Sequence, residues 1–454
     1  MEGRDRVIDR ERVTEGLEEE RRLFTERNPQ SQRAAAEATH LFAGVPMTWM
    51  AKTAGGFPLF LDRASGARLT TLDGHELVDF CLGDTGAMAG HSPPATVAAV
   101  QTRYGKAGGA TTMMPTEDAA AVAAELTRRF GVSAWSFALT ATDANRWALR
   151  LCRALTGRTK VLVNAWCYHG SVDESLIVTS PSGPVARPGN VGAPFEVTES
   201  SRVVEFNDLE GLKEELAHGD VAVVLMEPAL TNLGIVLPEP GYLEGVRELT
   251  RETGTLLIID ETHTLSAGPG GCTQTWGLEP DIVTLGKAIA GGIPIGAYGL
   301  RAEVAERLLS REDLDLVDTG GVGGTLAGNA LSLAAARATL ELVLTAEAFD
   351  GMIALATRYD EGVQRIIAEH GLPWSTSQLG ARSEYRFASP APRNGTESQA
   401  SEDVDLEDYL HLYLVNRGIL LTPFHNMALM CPATTEADVD LHLQVLDDAV
   451  ASLS

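Results

Sequence analysis

With 454 residues, 44% of them hydrophobic, the chain has material for a sizeable core and for more than one domain. Its formal net charge of −26 disfavours nucleic acid and anionic membrane surfaces as partners. Five scattered cysteines without CxxC spacing exclude a disulfide framework or a zinc site as the first reading and point to a reducing compartment.

Taken in chain order, the charged start MEGRDRVIDRERVTEGLEEERR is unlike a signal peptide, and no run has the length to span a bilayer. A cytoplasmic protein is expected. Residues 1–28 carry dense mixed charge and predict an exposed helix, open to a neighbouring subunit. From Gly55 to Leu82, apolar and β-branched clusters broken by Ser65-Gly66 and Asp73-Gly74 predict a small meander of strands. Between about 119 and 336, helical stretches alternate with the short apolar runs KVLVNAW, VAVVLMEP, TLLIIDE and DIVTLGK. That alternation is the pattern of a parallel sheet covered on both faces. After residue 340, SEYRFAS and GILLTPF read as strands of a smaller α+β domain, separated by the polar loop SPAPRNGTESQASEDVD. The expected architecture is α/β: a mostly parallel central sheet with helices on both faces, plus a small α+β domain from the two chain ends. Its expected divisions are an N-terminal segment 1–82, a large domain 83–338 and a C-terminal small domain 339–454.

One lysine stands out in DIVTLGKAIAGGIPIGAYG, a run otherwise suited to burial. A buried ammonium costs several kcal/mol unless it is paired, neutral or chemically consumed. A desolvated lysine amine is the usual means of forming a Schiff base with a carbonyl compound. Ligands of open parallel sheets sit beyond the carboxyl ends of the strands, and the residues ending the apolar runs are Trp166 to Gly170, Glu227, Asp260 and Lys287. A carboxylate and a Schiff-base lysine on two such ends match pyridoxal phosphate, the lysine holding the aldehyde and the carboxylate keeping the pyridine nitrogen protonated. Asp260 read by itself also fits a turn or helix cap.

The phosphate belongs at a helix N-terminus. In LTATDANRWALRLCRALTGR, Ala144, Trp147, Ala148, Leu151 and Leu155 share one helical face, Gly157 ends the helix, and Thr140, Ala141 and Thr142 form its entry. An ordinary Thr/Asp cap has the same appearance. Tyr168 either stacks on a ring or is a plain core or surface tyrosine. Cys167 with His169 invites a nucleophile–base reading that their placement along one strand disfavours, and Asp260, Glu261 and His263 lack a second histidine at metal-ligand spacing. No metal is expected.

IIDETHTLSAGPGG followed by DIVTLGKAIAGGIPIGAYG resembles the Asp-Glu-Val and Gly-Lys-x-x-x-Gly-Gly-x-Pro-x-Gly-Ala blocks of class III aminotransferases, fold-type I pyridoxal-phosphate enzymes. Within that family the pattern is similar to the ω-amino-acid and amine transaminases and to glutamate-1-semialdehyde aminomutase, from about Ser31 to the C-terminus. The resemblance implies Asp260 for the pyridine nitrogen and Lys287 for the covalent bond to the cofactor. CYHGS is similar to the family's Tyr-His-Gly, which puts Tyr168 on the ring beside His169. GGTLAGNALSLAAA resembles the Gly-Thr-x-x-Gly-Asn stretch, in which Thr325 reaches the phosphate of the other subunit; a homodimer with shared sites follows.

The chain also departs from the pattern. Thr140 to Ala144 replaces Ser-Gly-Thr-Glu-Ala, and Thr262 replaces a valine beneath the ring. Where amino-acid-specific relatives carry arginines, FAGVPMTWMAK and LLTPFHNMALMCP have Thr48 or Trp49 and Phe424 or His425. This predicts an apolar, aromatic pocket, with His425 or Arg386 available for a carboxylate; for Arg382 and Arg386 a surface ion pair is the plainer expectation. The reading is an enzyme, a pyridoxal-phosphate aminotransferase moving an amino group from an amine or ω-/β-amino acid donor to a keto-acid or ketone acceptor in two half-reactions. Its alternative is a glutamate-1-semialdehyde-like 2,1-aminomutase, which moves nitrogen within one molecule.

Overall fold

Strands buried along their whole length need helices on both faces, and Val221–Met226, Leu256–Asp260, Ile282–Leu285 and Gly296–Leu300 are buried at every residue. In the structure, a computed structural model describing residues 8–318 and 320–453, they form the centre of a seven-stranded sheet. Its order is Ala134–Ala138, Gly296–Leu300, Ile282–Leu285, Leu256–Asp260, Val221–Met226, Lys160–Asn164, Ser201–Val204. Gly296–Leu300 runs antiparallel to both of its neighbours, and the remaining pairings are parallel. The mostly parallel α/β architecture expected from the sequence is what the structure has.

Register then decides which residues meet. Asp260 lies opposite Thr284 and Ile259 opposite Met226. The antiparallel strand places Gly296 opposite Ala138 and Ala297 opposite Leu285. The segments leaving Ala138, Asn164, Met226, Asp260 and Leu285 therefore emerge along one edge. Helix Ala141–Thr156 starts at that edge, with Thr140 as its N-cap accepting from the Asp143 amide and left-handed Gly157 as its C-cap. It buries Ala144, Ala148, Leu149, Leu151 and Cys152, and small residues on that face let it pack closely against the strands.

The chain divides into two compact units. One, containing this sheet, is Pro93–Asp350 with Pro392–Ala400; the other takes the chain up to Ser92, Gly351–Ala391 and the chain from Ser401 on. These boundaries differ from the expected 82/83 and 338/339: helix Ala330–Leu342 runs through the second, and helix Gly395–Ala400 inside the expected polar loop returns to the sheet unit.

In the other unit, the expected meander is present as Leu61–Ser65, Arg68–Thr71 and Glu76–Asp79, extended by a parallel pairing with Ile419–Leu420. Ser375–Leu379, Arg382–Arg386 and Met427–Leu429 make a second antiparallel sheet. The first helix, Arg10–Arg27, is not the exposed element expected. Val13, Leu17, Glu20 and Phe24 are buried, and it packs on helix Val404–Asn416 of its own chain. Glu20 is tied there by Asn416 and by Arg417, at 2.7 and 2.9 Å. Among the described residues, no helix is long and apolar enough to cross a membrane.

Arg129 holds part of the sheet unit together. It is buried, pairs with Glu125 at 2.7 Å, and donates to the carbonyls of Pro269, Leu340 and Leu344. Arg129→Ala strands those carbonyls while Glu125 keeps Arg128, so a loss on the order of 3 kcal/mol is expected. A urea titration of the variant checks this, and an unchanged midpoint would refute it.

Candidate functional site

Asp260 ends its strand as a buried carboxylate, and its partners come from three separate pieces of chain. Oδ2 lies 2.9 Å from His169 Nδ1 and accepts from Asn145 Nδ2 at 2.8 Å, while Oδ1 accepts from the Thr262 amide at 3.0 Å. Burial alone pushes the carboxyl up, but the bond and charge of His169, with Thr262 and Asn145, hold it at about 2. Burial opposes a charge on His169 in turn, yet Cys167 and Asp260 bring its pKa well above the ordinary histidine value. The edge thus presents a permanent anion with one hydrogen-bonded imidazole behind it. Its motif neighbour Glu261 does different work: its carboxylate accepts from Thr264, from the Cys272 amide and from Thr273, tying the loop behind the strand together.

Lys287 follows the next strand over and is half-buried rather than fully enclosed. Its backbone is left-handed, φ +50°, a conformation that costs a non-glycine residue about 1–3 kcal/mol and clusters at functional sites. Nζ lies 2.6 Å from His263 Nε2. The turn presses on the helix entry, since a Cβ on Gly286 would stand 2.8 Å from that of Ala141. Gly170 similarly leaves the space that Thr142 fills. Ala141 itself has ordinary helical geometry, so the glycine missing from this position of the family pattern is not required there.

Glu227, at the end of Val221–Met226, is 3% exposed. Oε1 accepts from Thr231 and Oε2 has no protein partner. Burial pushes its pKa to about 7, against the pull of His169, Thr231 and Lys287. Thr262 Oγ1 and Thr284 Oγ1 are also buried without protein partners. An anion for a protonated ring nitrogen, a lysine, unpartnered polar atoms and the start of a 16-residue helix for a phosphate fit pyridoxal phosphate.

The structure brings Asp260, His169, Thr262, Glu227, Lys287 and Thr140 to Thr142 to one edge of this sheet. Tyr168 is half-buried directly after the strand, and Thr325 is exposed on a turn of the same unit. Two residues escaped the sequence reading. Asn145 was signalled by an amide on an apolar helix face; His263 was considered only within a metal group.

The residues expected on the substrate side lie in the other unit. The rings of Trp49 and Phe424 meet edge-on, 6.0 Å between centroids, beside an apolar cavity of about 420 Å³ in that unit. Exposed Lys52 stands with Nζ 5.1 Å over the Phe424 ring. His425 and Arg386, expected to meet a substrate carboxylate, are buried and engaged by the protein. His425 Nδ1 is 3.1 Å from Glu384, whose charge raises the imidazole pKa against the effect of burial. Arg386 donates to Ser401, and with His425 and Lys52 it works against the burial that raises Glu407. Arg382, 1% exposed, donates to Thr85 and Met427. The surface ion pairs expected of both arginines are corrected accordingly.

The model of the family "Aminotransferase class-III" matches residues 49–450. The crystal structure of a glutamate-1-semialdehyde-aminomutase from Pseudomonas aeruginosa PAO1 is 48% identical, with a TM-score of 0.95 over 99% of this chain and 100% of that one. A lysine-to-alanine form of such an aminomutase from the same organism was solved in complex with PMP. Glutamate-1-semialdehyde 2,1-aminomutase of Desulfitobacterium hafniense (strain Y51) is 34% identical over 88% of this chain and 93% of its own. An omega-transaminase from Sphaerobacter thermophilus is 28% identical, with a TM-score of 0.84 over 94% and 99% of the two chains.

Glu227 makes stability depend on pH. Its folded pKa, about 7, lies above the ordinary 4.5, so between these values the folded state binds the additional proton and stability falls as pH rises. Glu227→Gln should remove that decline, gaining on the order of 3 kcal/mol relative to the wild type above pH 7. Melting temperatures of the cofactor-free proteins across this window check it; parallel curves would count against it.

Proposed function

The chain belongs to the class III aminotransferases, and from that membership we propose that it is a 2,1-aminomutase acting on an amino aldehyde of the glutamate-1-semialdehyde kind. The observation that carries the reading is the end-to-end likeness to the Pseudomonas aeruginosa aminomutase. This gives preference to the alternative in the sequence reading over intermolecular transamination.

Pyridoxal phosphate is the cofactor, and it supplies a carbonyl at which amines exchange and a ring that accepts electrons. Lys287 binds it covalently and, once released, carries a proton between carbons with Nζ. Asp260 holds the proton on the ring nitrogen, with His169 and Asn145 fixing the carboxylate. Thr262 and Tyr168 would contact the ring. The amides and hydroxyls of Thr140, Ala141 and Thr142 bind the phosphate, joined by Thr325 of a second copy in a homodimer. Glu227, the buried acid whose pKa lies near 7, stands close enough to this group to feel Lys287 and Asp260. Trp49 and Phe424, beside the apolar cavity of the other unit, are the residues we assign to the substrate, with Lys52 above Phe424 as a cation for a carboxylate.

Transamination between an aromatic amine and a keto acid is the second reading. The Trp49–Phe424 pair favours it, as does the engagement of Arg386 and His425 by the protein.

Borohydride reduction of the yellow holoprotein should fix the cofactor to Lys287. Lys287→Ala should fold without this adduct and complete no turnover. A reduced adduct mapped to another lysine sinks the assignment.

Given glutamate-1-semialdehyde and no acceptor, the holoprotein should form 5-amino-4-oxopentanoate, its isomer. Inertness towards the semialdehyde, with alanine formed from an arylalkyl amine plus pyruvate, would transfer support to the second reading.

A further inference from the structure

The short contact between His263 and Lys287 is unaccounted for by the family blocks that place Asp260 and Lys287. Nζ and Nε2 lie 2.6 Å apart. At that separation the two nitrogens must share a hydrogen: an ammonium or amine N–H donates to an unprotonated Nε2, or an imidazolium Nε2–H donates to the amine lone pair. A pair protonated on both facing nitrogens does not fit. Proton occupancy on one nitrogen therefore reports on the other. The left-handed backbone at Lys287 fixes where the lysine side chain starts, and both side chains are half-buried, which limits competition from water.

We propose that His263 is the positioning residue and proton partner of Lys287. When the lysine is not covalently engaged, its amine donates one N–H to Nε2, and as Nζ forms a bond to carbon that proton passes to Nε2. The electron pair of the broken N–H bond stays on Nζ as the lone pair, and the imidazolium gives its proton to water or takes part in the reverse transfer. The imidazole also fixes the direction of the amine lone pair. Lys287, Asp260 and His169 all act on the buried Glu227, and the two carboxyls favour keeping a proton nearby. His263 stores it on an atom other than the reacting nitrogen.

The inference rests on Lys287 being the cofactor lysine, and the two ideas fail separately. Borohydride mapping tests the lysine. His263 is tested on the full-length protein freed of cofactor, by trace acetylation with acetic anhydride from about pH 6 to about pH 10. In that reaction the amine forms an N–C bond, the anhydride C–O bond breaks, acetate leaves and one N–H proton passes to a base, here Nε2 of His263. Each lysine is quantified by mass spectrometry, with exposed Lys106 as internal standard. Relative to Lys106, Lys287 labelling in His263→Gln should fall about tenfold near neutral pH. The wild-type profile should also carry an additional step in the histidine range that the variant lacks. Coincident profiles for wild type and His263→Gln overturn the proposal. If the variant does not fold, the wild type decides: a Lys287 profile without the histidine step overturns it equally.

Discussion

A buried carboxylate that must stay charged is the constraint on which this architecture turns. Desolvation of Asp260 disfavours its anion by several kcal/mol, and each charge-assisted hydrogen bond returns about 1.5–3 kcal/mol. Its donors are spread through the chain: Asn145 in the helix after the first strand of the sheet, His169 in the segment after Lys160–Asn164, and Thr262 in its own turn. Strand order and register are thereby coupled to one side chain. A slip of the Asp260 strand by one residue would carry the carboxylate to the opposite face and away from His169 and Asn145.

Close packing does the corresponding work at the phosphate end. Gly286 and Gly170 sit where a Cβ would collide with Ala141 and Thr142, so the start of helix Ala141–Thr156 is pressed between the Lys287 turn and the His169 segment. The strain at Lys287 is held by these neighbours, and a residue held this way is preorganised rather than mobile. The same contacts explain why the chain dispenses with glycine at position 141: the room comes from the partners of the turn.

The fold was legible in the sequence, and Asp260 and Lys287 stood out there, because both appear as local contrasts. A charge that ends an apolar run, as Asp260 and Lys287 do, has few structural explanations. Asn145 and His263 were less legible because their partners lie 115 and 24 residues away, and no local pattern announces such a pairing. The protein partners of Arg386 and His425 were hidden for a related reason. Sequence exposes a cation but not the Ser401, Glu384 or Glu407 that packing sets against it. In the first helix, Val13, Leu17 and Phe24 keep helical spacing, and the density of surrounding charge concealed the buried stripe.

The absence of arginine from FAGVPMTWMAK and LLTPFHNMALMCP implied a pocket hostile to carboxylates, and the structure changes the premise of that argument. Lys52 comes three residues after Trp49, and its ammonium stands over Phe424 beside the aromatic pair. An aromatic face attracts a cation without forming an ion pair with it, whereas Arg386 and His425 are held among protein groups. A flexible exposed lysine is a weaker and less directional clamp than a buried arginine.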